Sequence, residues 1–230
     1  MSFDLGYSDP AWRFRNWSME MATKMGEKWG RANGRPIYPV MITEDICDMP
    51  VGKLFGKDSI MLMWATYPML PDALRVMDAW NFEFKTVAFT WVKLNPSGVG
   101  WHFGLGYHTH GNPEIVLLGT RGNGLRRMDK AIANLIIAPR GRHSAKPQIV
   151  RDRIERLYGD VSRLELFARE AAPNWARWGN EVQPSEGTEL LENYIIPPIE
   201  VIVDEDEYLG LPVMDTQQES WDNGEQIRLI

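Results

Sequence analysis

The sequence predicts an α/β fold: one sheet with helices on both faces over residues 1–182, followed by an acidic C-terminal extension, 183–230. Three observations carry this. Apolar, β-branched and aromatic runs alternate with segments of helical period along the body. The formal charge of −6 divides unevenly, with twelve acids against Arg228 alone after residue 182 and 24 Lys+Arg against 19 Asp+Glu before it. The chain of 230 residues is 44% hydrophobic and 24% charged, the composition of a soluble globular protein.

Taken in order, "MSFDLG" reads as a short first strand and "SIMLMWA" (59–65) as a buried one. "LPDALRVMDAW" (70–80) sets Leu70, Leu74, Met77 and Trp80 on one helical face. "KTVAFTWVK" (85–93) and "PEIVLLGT" (113–120) are strands by their β-branched and aromatic content. "SAKPQIVRDRIERLYG" (144–159) is a helix, with Ser144 as cap, Pro147 in the first turn and Gly159 closing it. "SRLELFAR" (162–169) is a further strand, and "WARWGN" (175–180) reads as one more. In such sheets the ligand crevice lies outside the carboxyl ends of the strands, which brings "DPAW" (9–12) and "FAR" (167–169) to one edge.

Two long irregular stretches interrupt the alternation. Residues 13–36 hold Arg13, Arg15, Lys24, Lys28, Arg31 and Arg35 against Glu20 and Glu27. Residues 119–146 hold Arg121, Arg126, Arg127, Lys130, Arg140, Arg142 and Lys146 against Asp129. They read either as solvated surface or as basic flaps suited to a phosphate backbone. In the extension, the apolar "YIIPPIEVIV" (194–203) is a candidate edge strand or docking segment for a second copy or a partner protein. Cys47 is the single cysteine, so neither a disulfide framework nor a cysteine zinc site is open to the chain. "HTH" (108–110) sets two histidines on one strand face without an obvious third ligand, and no metal is expected. No apolar run is long enough for a bilayer and the start lacks a leader pattern, so no membrane and a cytoplasmic setting are expected.

The step "DPAW" is consistent with an ordinary turn carrying a packed tryptophan. It also offers two acceptors and a flat face: the Asp9 carboxylate, the Pro10 carbonyl and the Trp12 ring. Together these match an exocyclic amine on a nucleobase. Accepting both amine protons turns the nitrogen lone pair out of conjugation and makes it a better nucleophile.

Asp-Pro-x-Trp, then "GTRG" (119–122), "HSAKP" (143–147) before a helix, "RLELFAR" (163–169) after it and "PNWARWGNE" (173–181) occur in an order that resembles the DPPW-type adenine-N6 methyltransferases. That family includes the catalytic subunit of the messenger-RNA adenosine methyltransferase and phage and bacterial DNA adenine methyltransferases. The resemblance covers residues 3–182 and implies a Rossmann-like methyltransferase sheet, S-adenosylmethionine as cofactor and adenine N6 as target. It implies that Asp9 and Pro10 hold the target amine and that Trp12 stacks near a flipped or single-stranded base. Asp9, Lys146, Glu165, Phe167, Arg169, Asn180 and Glu181 are the implied cofactor contacts. Tyr38 and Glu114 match family positions near the mouth, and the arginines of the two stretches, Arg13, Arg15, Arg121, Arg126, Arg127, Arg140 and Arg142, would meet the nucleic acid. DNA is the expected polymer and RNA the less favoured one, since the chain has no separate RNA-binding module.

One letter departs from the family: Ala11 stands where it has proline. Proline fixes φ and has no N–H, so alanine should loosen the turn. The departure keeps a second reading open, a catalytically silent relative that binds nucleic acid or a partner protein.

Overall fold

In the computed structural model, residues 2–13, 31–32, 35–36, 40–104, 108–141 and 145–194 are described. The strands, in chain order, are β1 (Phe3–Ser8), β2 (Arg31–Ala32), β3 (Arg35–Pro36), β4 (Phe55–Ala65), β5 (Glu83–Leu94), β6 (Glu114–Arg121), β7 (Leu135–Pro139), β8 (Arg163–Leu166) and β9 (Ala176–Trp178). The helices are α1 (Thr43–Asp48), α2 (Leu70–Ala79) and α3 (Ile149–Tyr158). Seven strands form one mixed sheet in the order β7-β5-β6-β4-β1-β8-β9, and β2 pairs with β3 apart from it.

β1 lies between two parallel neighbours, with Tyr7 opposite Leu62 of β4 and Glu165 of β8. β6 runs antiparallel to both β4 and β5, so β5 points the same way as β4. The consequence for function is simple. The ends of β1, β4, β5, β7, β8 and β9 and the start of β6 share one edge, and Asp9, Glu114, Arg140 and Phe167 all follow or begin strands there.

The strand period sorts the core into two layers. Met61, Met63 and Leu117 face α1 and α2, packing with Ile46, Val76 and Met77. Leu5, Leu62 and Val116 face α3, packing with Val150 and Ile154. The helices therefore cover both faces, as the alternation predicts. α2 turns Met77 and Trp80 fully into the core, while Leu70 and Leu74 are partly buried against it. Trp80 Nε1 donates to Ile46 O at 2.9 Å, which ties α2 to α1. Gly159 closes α3 as expected, with φ +68 and its N–H on Glu155 O at 2.8 Å. The cap expected at Ser144 lies outside the described residues. No helix among the described residues is long and apolar enough to cross a membrane.

Four sequence expectations change. Residues 119–146 are not one irregular flap, because "LIIAP" inside them is β7, on the outer side of β5. The short α1 and the 3-10 helix Pro50–Leu54 were not legible as elements. β8 ends at Leu166 because Phe167 takes φ +60, a backbone that cannot continue a strand. The body also extends past residue 182. Leu191 and Thr188 are buried, Ser185 N donates to Arg177 O at 2.9 Å, and Trp178 Nε1 donates to Leu191 O at 3.2 Å. Glu189–Tyr194 forms a 3-10 helix there, so these residues are part of the body and not a detached acidic tail.

Arg121 is the clearest correction to the expected nucleic-acid contacts. It ends β6 on the edge opposite Asp9, and its guanidinium donates to the carbonyls of Asn81 (3.1 Å), Gly52 (2.7 Å), Phe55 (3.2 Å) and Trp80 (2.7 Å). It also lies over the Phe82 ring at 4.7 Å. These bonds knit the α2–β5 turn to the start of β4. We expect Arg121→Ala to lose about 2–4 kcal/mol of stability, because several buried carbonyls lose a charged donor. Thermal unfolding measures this as a fall of roughly 2–4 °C per kcal/mol in a domain of this size; oligonucleotide affinity of the folded variant should equal wild type.

Candidate active site

β1 delivers the "DPAW" step to the carboxyl edge. Pro10 is buried, the Asp9 side chain is 28% exposed, and Trp12 N donates to Pro10 O at 2.8 Å to close a tight turn. The turn is fastened from a second side. Met41 N donates to Ala11 O at 2.8 Å and Arg13 N to Met41 O at 3.1 Å. The loosening expected from Ala11 is thus offset by a short parallel bridge to Met41. Trp12 is not an open stacking platform as expected: it is 6% exposed, packed in the core, with Nε1 donating to Trp64 O at 3.3 Å.

A row of alternating charges crosses the edge. Lys146 Nζ donates to Asp9 Oδ2 at 2.7 Å and lies 3.3 Å from Glu114 Oε2. Lys93 Nζ donates to the other Glu114 oxygen at 2.6 Å. Lys93 is held through its backbone, where Asn112 Oδ1 accepts from Lys93 N and Asn112 Nδ2 donates to Lys93 O, each at 2.9 Å. Beneath the row lies Trp64, with Lys146 Nζ 5.3 Å from its ring centroid and its Nε1 donating to Tyr7 OH at 2.6 Å.

The electrostatics follow from this order. Burial acts to lower the Lys146 ammonium, but Asp9 and Glu114 outweigh it and hold Lys146 above its ordinary range, fully charged at neutral pH. Burial acts to raise Glu114, but Lys146 and Lys93 outweigh it and leave the carboxyl below its ordinary value. Burial raises Asp9, against the pull of Lys146.

The other half of the edge is built by β8 and β9. Phe167 sits edge-on to Trp178 at 5.3 Å, and Ala168 N donates to Trp178 O at 2.9 Å. Gly179 passes so close to the Ala168 backbone that a Cβ there would collide with its oxygen and lie 2.7 Å from its nitrogen. Beyond the crossing, Arg169 Nε donates to Glu181 Oε1 at 2.7 Å. Asn180 stands between them in sequence and on the same edge. Glu165 is set deeper than expected: it is 8% exposed, and both its oxygens accept from Arg151, at 2.9 and 2.8 Å. That pair fastens α3 to β8 and takes Glu165 out of the exposed edge.

The structure thus brings Asp9, Pro10, Glu114, Arg140, Lys146, Phe167, Arg169, Asn180 and Glu181 to one edge. It does not bring Arg126 and Arg127 there. They lie between Gly124, bonded to Arg121 O, and Met128, bonded to Leu157 O near the end of α3, on the opposite edge. Arg13 is exposed just after the turn. Arg15, Tyr38 and Arg142 lie outside the described residues. Sequence reasoning missed Lys93 and Trp64. A lysine ending an apolar strand, as in "TWVK", is the signal for the first; Trp64 carries none, since its role depends on register with Tyr7. Lys93, His102, Glu114, Arg140 and Lys146 enclose a polar cavity of about 70 Å³ beside Asp9.

The sequence model of the MT-A70 family matches residues 3–181. Type II methyltransferase M.MunI of Mycoplasma sp. is 32% identical over 148 residues, 63% of this chain and 60% of that protein. N(6)-adenine-specific methyltransferase METTL4 of Mus musculus is 31% identical over 162 residues, 63% of this chain and 33% of that protein. The N(6)-adenosine-methyltransferase catalytic subunit METTL3 of Homo sapiens is 27% identical over 143 residues, 60% of this chain and 24% of that protein. The chain spans less than two thirds of the length of each.

The charge row makes the site acid-sensitive with a defined sign. Glu114 has a folded value below its unfolded one, so its contribution to stability is complete above the ordinary carboxylate range, about 4.3, and fades as pH falls through the folded value. Thermal melts of wild type and Glu114→Gln should differ by a constant amount between about pH 6 and 7 and converge only as pH falls through the folded value of Glu114.

Proposed function

The chain belongs to the MT-A70 family of N6-adenine methyltransferases, and from that premise we propose that it methylates the N6 amine of adenine in DNA, by direct transfer to a flipped or single-stranded base. The observation that carries the reading is the pair of acceptors at the end of β1. Asp9 Oδ2 accepts from Lys146 Nζ at 2.7 Å and Pro10 O accepts from Trp12 N–H at 2.8 Å, and a carboxylate and a carbonyl each have more acceptor capacity than one such bond uses.

The cofactor the family implies fits the residues present. S-adenosylmethionine carries a cationic and an anionic end, a ribose diol and an adenine. The edge offers the Arg169 guanidinium, the Asp9 and Glu181 carboxylates, the Asn180 amide and the Phe167 ring. Two buried hydroxyls, Ser8 Oγ and Thr66 Oγ1, have no hydrogen-bond partner among the described residues and stand at the ends of β1 and β4. When bound, this cofactor supplies a methyl group on a sulfonium, activated for in-line displacement.

The protein's own part is alignment and charge. Asp9 Oδ1 and Pro10 O each accept one proton of the target amine, and its lone pair is then directed out of the ring plane. The nitrogen must be held at about 3–3.5 Å from the methyl carbon, a position the fastened turn at Ala11 can maintain. As the N–C bond forms, the nitrogen gains positive charge, which the Asp9 carboxylate stabilises; Oδ1 then takes the surplus proton. Lys146 holds Asp9 in place and supplies the positive charge that opposes its neutralisation by burial. Arg13 and Arg140 give backbone affinity, which falls with salt. Unstacking a duplex base costs a few kcal/mol, so an opened or single strand is the easier substrate. DNA is favoured because identity to the Type II methyltransferase, 32%, exceeds the 28% to the RNA methyltransferase MTA1 of Pyricularia oryzae and the 27% to the adenosine-methyltransferase subunit.

The test is methyl transfer to unmodified DNA, and to RNA of the same sequence, followed by digestion to nucleosides. We expect N6-methylated adenine from DNA with wild type and a loss of about 10²–10³-fold with Asp9→Ala. Equal activity in Asp9→Ala would remove Asp9 from the mechanism, and preference for the RNA would reverse the choice of polymer.

A further inference from the structure

An arm beside the site presents apolar side chains to solvent. After β5 the chain folds back on the strand's end: Asn95 N donates to Gly100 O at 3.1 Å, and His102 N donates to Lys93 O at 2.9 Å. Asn95 Nδ2 donates to Val99 O at 3.1 Å, and Gly100 takes φ +73 to make the turn. Along the returning limb the side chains alternate. Val99, Trp101 and Phe103 are 76%, 48% and 61% exposed, while His102 turns inward and lines the cavity beside Asp9. Exposed apolar groups held together on an ordered arm mark an interaction surface.

The chemistry behind the arm identifies the partner. The cavity is small, about 70 Å³ against the roughly 300 Å³ of a small-molecule pocket, and cationic groups dominate it: Lys93, Arg140 and Lys146 against Glu114. Burial holds the His102 imidazole below its ordinary value, and the Arg140 and Lys93 cations push it the same way. The centre of a protein–protein interface is depleted of charge. Flat rings interleaved with cations are instead the pattern of single-stranded nucleic-acid grooves.

We propose that Asn95–Gly104 forms a subsite for the nucleotides next to the target base, in a single-stranded or opened nucleic acid: Trp101 and Phe103 stack on flanking bases, and Lys93, His102 and Arg140 receive the phosphodiester that links them to the target. The subsite rests on the reading of Asp9 as the target-amine site. It supplies the open stacking faces that Trp12, buried in the core, does not.

The test measures affinity of a fluorescein-labelled single-stranded oligodeoxynucleotide containing one adenine, across a salt series. A second set of oligonucleotides replaces one flanking nucleotide at a time with an abasic residue. Trp101→Ala should weaken binding of the intact strand about 5–50-fold without changing the salt slope, and Trp101→Phe should restore most of it. The Trp101→Ala loss should vanish on one of the abasic strands. Arg140→Ala should instead lower the salt slope by about 0.7. Wild-type affinity in both Trp101→Ala and Phe103→Ala overturns the subsite, as does an equal Trp101→Ala loss on every abasic strand. Loss of self-association in Trp101→Ala at unchanged oligonucleotide affinity also overturns it, and assigns the arm to contact between copies. The two readings separate cleanly. Stacking by wild type with no methyl transfer upholds the subsite and removes the catalytic reading. Transfer at an unchanged KM in Trp101→Ala removes the subsite and leaves the catalytic reading standing.

Discussion

Lys146 is the constraint on which the site depends. It lies 137 positions from Asp9 in sequence, yet its ammonium touches both Asp9 and Glu114 and rests over Trp64. One side chain therefore joins the segment before α3 to the ends of β1 and β4 and the start of β6. Such a partly buried row is tolerable only because charge alternates along it, Lys93, Glu114, Lys146, Asp9, so that each group has an opposite neighbour. Without Lys146, two carboxylates would share the edge and each would be pushed toward its neutral form. The acceptor pair proposed for the target amine would then be lost along with the ion pair.

The reach of the sequence differs by element, for physical reasons. β1, β4, β5, β6, α2 and α3 were legible because apolar or β-branched runs mark the strands and helical period marks the helices, and both are visible in one dimension. β7 was not, because only Ile136 of its five residues is fully buried and Leu135 and Ile137 are about half exposed. An edge strand of that kind owes its form to pairing with β5, which no local pattern reports. Charge misled in the same way. Arg121, Arg126 and Arg127 are close in sequence to Arg140, but an intervening strand carries the chain to the other edge of the sheet. Counting cations along the chain treated as one patch what the topology separates into two.

The motif residues were legible as residues and less so as roles. Asp9 and Lys146 meet at the carboxyl edge of the sheet, 2.7 Å apart. Glu165 is displaced from the expected cofactor contacts by Arg151, whose bidentate grip is worth more to α3 and β8 than to a ligand. Phe167 gives the opposite lesson. A bulky residue at φ +60 persists only where its surroundings impose it, and here Gly179 lies against the Ala168 backbone while Ala168 N bonds Trp178 O. The crossing of these two loops sets the direction in which Arg169, Asn180 and Glu181 leave the sheet, so strain at one residue shapes that half of the edge.

Ala11 shows how a departure from a motif can leave its geometry intact. In the family pattern a proline at this position restrains the turn covalently. Here the restraint comes from hydrogen bonds, Met41 N to Ala11 O and Arg13 N to Met41 O, together with the Trp12 indole on Trp64 O. The two solutions differ in what they depend on. A proline holds the turn whatever the rest of the chain does, whereas the bridge holds it only while the segment containing Met41 is docked. Arg13 begins the basic stretch at one end of that segment, and Met41 is fastened at the other. The geometry of the acceptor pair is thereby linked to the docking of Met41, a linkage that proline at position 11 would weaken.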